Sequence, residues 1–231
     1  MTMGHASAIP ARGPRRSLPV RNPIRGLLHG SASLFCLGMA SYFALHPTGS
    51  PSLDPLLLGF ASSHAMLFMV SASYHSLPWR EIAKARMQRL DHSMIYVKIA
   101  GSIGPLAWLA LEETQAWRFI AAAWGVAVLG IAQKAFVPTV DPKLSAWAQI
   151  GQALLFVPIL GELIQRHPGP PSQLVCLTAI VYSVGAVVFL LERPRLWPRV
   201  FSFHELFHLL LVIGSVSLGA LLVGLVYATG A

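Results

Sequence analysis

Among the ionisable side chains that interrupt the long apolar stretches of this sequence, five stand out: His75, Asp91, His204, Glu205 and His208. A charge or an imidazole at membrane depth is costly, so each is a functional candidate. His204 and His208 are four residues apart. On a helix they share one face, about one turn apart. Neutral imidazoles at that spacing can bind a single zinc ion, and His75 from another helix would make a third nitrogen ligand. A catalytic zinc keeps its fourth position for water, whose pKa falls to about 7 and which becomes a nucleophile. Asp91 suits hydrogen bonding to that water or orientation of a ligand. Ser71 lies one turn before His75 on the same face, where its hydroxyl can assist the water or a substrate carbonyl.

Each residue also has a plainer reading. A lone histidine at a helix end is ordinarily an interfacial hydrogen-bonding group. Asp91 can pair with Arg89 or Lys98, and Ser71 can bond the backbone carbonyl one turn back. The run His204-Glu205-Leu206-Phe207-His208 has the H-E-x-x-H form of the zincin proteases, with Glu205 as general base. It opens a strongly apolar segment, which excludes a soluble metalloprotease and leaves an intramembrane one open.

The elements that must position these groups follow from composition. Of 231 residues, 55% are hydrophobic and 11% charged, and the mean hydropathy is +0.60. Soluble domains are nearer about 25% charged. This excludes a disordered chain, a nucleic-acid-binding module and an ordinary cytosolic enzyme. The net charge of +8 does not restore a nucleic-acid partner, because the basic residues sit in short pieces between apolar runs. Cys36 and Cys176 both lie inside apolar runs, so neither a disulfide framework nor a Cys-type zinc site is implied.

A spanning helix needs roughly 20 mostly apolar residues. Seven segments qualify, at about 28–46, 55–74, 91–111, 117–137, 145–163, 172–191 and 204–228. The expected fold is all-α, one domain of seven transmembrane helices over 28–231, preceded by a basic tail at 1–27. That tail loosely fits an acid-poor transit peptide. A twin-arginine signal is disfavoured because Arg21 and Arg25 intervene before the apolar run. A plain cytoplasmic tail is the preferred reading, since Lys and Arg are retained on the cytoplasmic side. Fourteen of the 17 basic residues fall in alternate segments, which puts the N-terminus in the cytoplasm and the C-terminus outside. His75, Asp91, His204 and His208 then all lie at cytoplasmic helix ends.

Other polar groups are weaker candidates. His29 opens the first span at the same end. His46, His92 and His167 read as interfacial, and His64 as a mid-span group facing a neighbour or cavity. Trp79, Trp108, Trp117, Trp147 and Trp197 read as an aromatic belt.

Three stretches carry a family resemblance: Ser71-Ala72-Ser73-Tyr74-His75-Ser76-Leu77-Pro78, Arg89-Leu90-Asp91-His92-Ser93-Met94-Ile95-Tyr96, and Trp197 to His208. With Gly185 to Pro194 they resemble the hemolysin III proteins, the bacterial branch of the progestin and adipoQ receptor family. The similarity covers about residues 20–225. It implies a seven-helix fold with zinc near the cytoplasmic side, in a bacterial plasma membrane. His75, His204 and His208 correspond to the metal ligands, Asp91 to the carboxylate that holds the zinc-bound water, and Ser71 to the motif serine. The receptor branch has a non-acidic residue at the place of Glu205, which weakens the zincin reading. Family members often carry an acidic residue and Asn-x-x-Thr-His before the first span. Here Arg25-Gly26-Leu27-Leu28-His29 keeps only the histidine.

The family is related to alkaline ceramidases, so the resemblance implies zinc-dependent hydrolysis of a ceramide-like lipid amide drawn from the membrane. Two alternatives stand beside it. A pore-forming or cytolytic protein would need a polar stripe along several spans, whereas the polar groups here gather at one end. A receptor or membrane-homeostasis sensor with a structural zinc would use the same ligands, and only turnover separates it from an enzyme.

Overall fold

The computed structural model describes residues 23–137, 142–197 and 201–228. The described part is helical, with no strand beyond one isolated pairing between Trp197 and Phe201. The helices are α1 (Pro23–Leu45), α2 (Leu53–Ser76), α3 (Glu81–Ala110), α4 (Glu113–Phe136), α5 (Pro142–Ala153), α6 (Phe156–Arg166), α7 (Pro170–Leu191) and α8 (Phe203–Val223). A short π-helical turn, Gly224–Ala228, extends α8. Seven segments are long and apolar enough to cross a membrane, and each overlaps one of the seven expected. Large apolar side chains such as Leu34, Leu129, Phe136 and Ile180 face outward. That is the surface a helix bundle presents when hydrocarbon is its solvent.

α1 begins at Pro23, so Arg25 belongs to its first turns; residues 1–22 of the expected tail lie outside the described residues. α3 begins at Glu81, ten residues before the apolar run, because Glu81 to Leu90 is a polar, largely exposed helical extension. The fifth span is two helices, α5 and α6, broken at Leu154 and Leu155. Pro158 explains the break. Its ring clashes with the carbonyl four residues back, at Leu154, and it has no N–H to donate. The carbonyl of Leu154 instead accepts from Val157 N at 3.1 Å, a tighter turn.

α3 is the most buried of the spans and sits between α2 and α4. It is built for close approach, with Ala100, Gly101, Ser102, Gly104 and Ala107 all buried. A β-carbon added at Gly101 would collide with the Ser63 side chain on α2. Helices in lipid gain their association from such packing rather than from expulsion of water. α8 packs on α7 and also reaches α1, so the last helix closes back on the first. That closure sets the site, because it brings the start of α8 beside the end of α2.

Candidate metal centre

The side chains of His75, His204 and His208 converge. Each offers a ring nitrogen, and the three nitrogens lie within 4.8 Å of one another, an arrangement able to share a metal ion. The ring centroids of His75 are 5.6 Å from those of His204 and 5.0 Å from those of His208. His204 and His208 are 4.6 Å apart, as one helical turn requires. His75 is in the last turn of α2, while the pair opens α8.

The start of α8 is held by its own sequence. Ser202 and Glu205 form a reciprocal capping box: the Ser202 side chain serves the backbone at Glu205, and the Glu205 carboxylate accepts from Ser202 N at 2.8 Å. The other Glu205 oxygen accepts from Arg25 Nε at 2.7 Å, an ion pair from α1 to α8 with Glu205 only 2% exposed. Both carboxylate oxygens are therefore engaged in holding helices. This removes Glu205 from the role of general base that the H-E-x-x-H spacing allows.

His29 is buried on α1, and its Nε2 lies 2.6 Å from Nδ1 of His208. Two further ring atoms in this pair, His29 Nδ1 and His208 Nε2, are buried without a hydrogen-bond partner. One tautomer accounts for the bond and leaves a ligand free. With its proton on Nδ1, His208 would donate to His29 and keep the Nε2 lone pair for a metal. An outer partner that fixes the tautomer of a ligating imidazole is what metal sites ordinarily contain. The donor set of three imidazoles, an orphaned buried nitrogen and an outer-shell partner fits zinc.

Ser71 and Asp91 are joined: the Ser71 hydroxyl donates to the Asp91 carboxylate. Both are buried, and Ser71 stands one turn from His75 on α2. Lys98 is not paired with Asp91; its ammonium lies 3.8 Å above the ring of Tyr182. Of the remaining histidines, His46 bonds a local carbonyl, His92 lies outside the cluster, and His64 is fully buried elsewhere. Sequence reasoning placed His29 at the same end with no specific task and read Glu205 only as the general base of the zincin pattern. The Ser202-x-x-Glu205 spacing was a visible signal for the cap.

A cavity of about 360 Å³ adjoins this centre. Its walls come from α3, α5, α6, α7 and α8 and are mainly apolar. Phe189 and Phe207 line it and also touch the cluster, with ring centroids 6.5 Å from His204 and, for Phe207, 5.8 Å from His208.

A sequence profile described as haemolysin-III related matches residues 19–218, most of the chain. The protein belongs to the haemolysin III family. It is 27% identical over 191 residues to Hemolysin-3 of Bacillus cereus, an alignment covering 82% of this chain and 84% of that one. A Hemolysin-3 homolog of Bacillus subtilis (strain 168) is 26% identical over 159 residues, covering 69% and 71% of the two chains. This member of the family is an integral membrane protein of seven spans with a three-histidine cluster at one end.

Proposed function

We propose that this haemolysin III family member is a zinc-dependent hydrolase of a lipid amide, with its centre toward the cytoplasmic side of a bacterial plasma membrane. One observation carries the reading: His75, His204 and His208 meet from helices remote in sequence, beside an apolar cavity at membrane depth. The three histidines would hold the metal. When bound, zinc supplies Lewis acidity toward a carbonyl and acidifies water.

The chain's own groups have distinct tasks. His29 holds His208 in the ligating tautomer. Arg25 and Glu205 fix the start of α8 against α1, which keeps the His204–His208 pair facing His75. Asp91 is the proton acceptor for the attacking water, and Ser71 holds its carboxylate. Phe189 and Phe207 guide the hydrocarbon part of the substrate past the cluster. The amide class rests on the resemblance to alkaline ceramidases, and the hydrocarbon body on the apolar lining of the cavity.

The name Hemolysin-3, borne by the Bacillus cereus relative, favours membrane lysis as a second reading. Against it, the three-histidine cluster lies at one end of the bundle, and the other buried polar groups among the described residues, such as His64, Lys98, Ser102, Lys134 and Gln152, are set singly among apolar side chains. One experiment separates the readings. Purified protein is assayed for zinc content, for hydrolysis of an N-acyl sphingosine panel, and for dye release from vesicles. We expect one zinc per chain and amide turnover, both lost together in His204→Ala/His208→Ala. Unchanged zinc in that double variant refutes the centre. Stoichiometric zinc without turnover leaves a structural ion, as in a receptor or sensor, and refutes the hydrolase. Dye release that survives loss of the histidines supports lysis.

A further inference from the structure

A second polar focus lies deeper in the bundle. Lys98 is on α3, seven residues beyond Asp91, so it stands about 10 Å farther along the helix axis than that carboxylate. It is 5% exposed and lines the cavity. Its amine stands 3.8 Å from the centre of the Tyr182 ring on α7. Gly214 on α8 makes room for that ring, since a β-carbon there would come within 2.7 Å of it, and Ser215 fixes the phenol oxygen at 3.1 Å. The seat for the amine is thus built from three helices.

What the seat lacks is a negative charge. No ion pair among the described residues involves Lys98. The titratable groups that face it are Cys36 on α1 and His64 on α2, and neither is a carboxylate. Thr178 lies one turn before Tyr182 on the same face of α7 and also lines the cavity. Its hydroxyl is buried without any partner. The Lys98 amine, without a hydrogen-bonding or ionic partner among the described residues, and Thr178, whose buried hydroxyl can reach the space by turning about its Cα–Cβ bond, therefore border a cavity walled mainly by Leu106, Leu160, Leu211 and similar side chains. An amine at this depth either sheds its proton or carries it against a counter-charge. Apolar walls with two donors among them describe a site for an apolar body carrying one anionic end.

We propose that Lys98 and Thr178 form a carboxylate-binding site in this cavity, which takes a long-chain aliphatic acid with its carboxylate on Lys98 and its chain along the apolar walls. The site is independent of the metal reading. It anchors the acid two helical turns beyond Asp91, at a point of the cavity that none of the three clustered histidines lines, and it needs neither zinc nor turnover. The carboxylate accepts from the Lys98 ammonium and from the Thr178 hydroxyl, which gives each its missing partner.

The full chain in phosphatidylcholine nanodiscs tests this, with hexadecanoic acid, hexadecan-1-ol and methyl hexadecanoate as probes and empty discs as the blank. We expect the acid to bind at least tenfold more tightly than the alcohol or the ester. Lys98→Met should abolish that preference at unchanged zinc content, and Thr178→Val should weaken it several-fold. A ¹³C-carboxyl label should report an ionised carboxylate when bound. Equal binding of the three probes by the unmodified chain overturns the proposal, and this comparison needs no variant to fold. Acid preference that persists in both Lys98→Met and Lys98→Gln overturns it as well. Loss of zinc binding in His204→Ala/His208→Ala with acid binding retained would support the independence of the two sites.

Discussion

His29 offers the most direct probe of the proposed metal centre, because it touches His208 without belonging to the three-histidine cluster. In His29→Leu the buried Nδ1–H of His208 loses its acceptor at 2.6 Å. The leucine is apolar and of comparable bulk, so packing against Phe68, whose ring is 5.0 Å from that of His29, is largely kept. Leaving a buried donor unsatisfied costs about 1–3 kcal/mol. The imidazole can escape part of that cost only by moving its proton to Nε2 or by turning, and either removes the ligating lone pair. The cost therefore falls on metal binding. At about 1.4 kcal/mol per decade it corresponds to a drop of roughly 5- to 150-fold in zinc affinity, in line with the ~10–100-fold seen for outer-shell partners. His29→Gln, which presents a carbonyl acceptor, should recover part of the loss. The assay is chelator competition on detergent-purified protein, with a thermal melt of the metal-free form as control. Zinc affinity within twofold of the unmodified protein in His29→Leu would refute the tautomer argument. So would equal losses in His29→Leu and His29→Gln.

Three other predictions concern the start of α8, its partner on α1 and the orientation of the bundle. Glu205→Gln should keep zinc at one per chain and lower any amide turnover no more than a few-fold, whereas Arg25→Ala, which strands a carboxylate that is 2% exposed, should destabilise the fold by about 1–3 kcal/mol and lower the melting temperature; collapse of turnover with full zinc in Glu205→Gln would restore the zincin mechanism. In a chain with Cys36 and Cys176 replaced, a cysteine at Ser50 should react with a membrane-impermeant maleimide from outside intact cells and one at Leu77 should not; the opposite pattern would invert the orientation read from the basic residues.

The spans were legible in the sequence because hydropathy reports burial in lipid, and the short Pro- and Gly-rich turns left little freedom in how neighbours pair. The histidine cluster was legible for a related reason. His75 ends one helix and His204 begins another, and alternation of direction alone puts both at one end of the bundle. Three features were hidden. The break in the fifth span had a visible cause in Pro158, but hydropathy averages over it. The polar start of α3 carried no apolar signal, although it is helical from Glu81. The pairings of Arg25 with Glu205 and of His29 with His208 join residues about 180 positions apart, and neither spacing nor periodicity can show which distant side chains meet. Lys98 was visible as an oddity within an apolar run, but its lack of a carboxylate partner emerges only from the packed bundle.

The closure of α8 onto α1 has a consequence for how the protein is made. A ribosome delivers α1, α2 and α3 to the membrane first, and with them His29, His75 and Asp91. His204 and His208 arrive only with the final span. Until that helix docks, the early segments hold a single ligand, and a prematurely ended chain can never acquire the set. Occupancy by metal would therefore mark a finished molecule, and the ion would act as a late fastener between the first-inserted and last-inserted parts of the polypeptide.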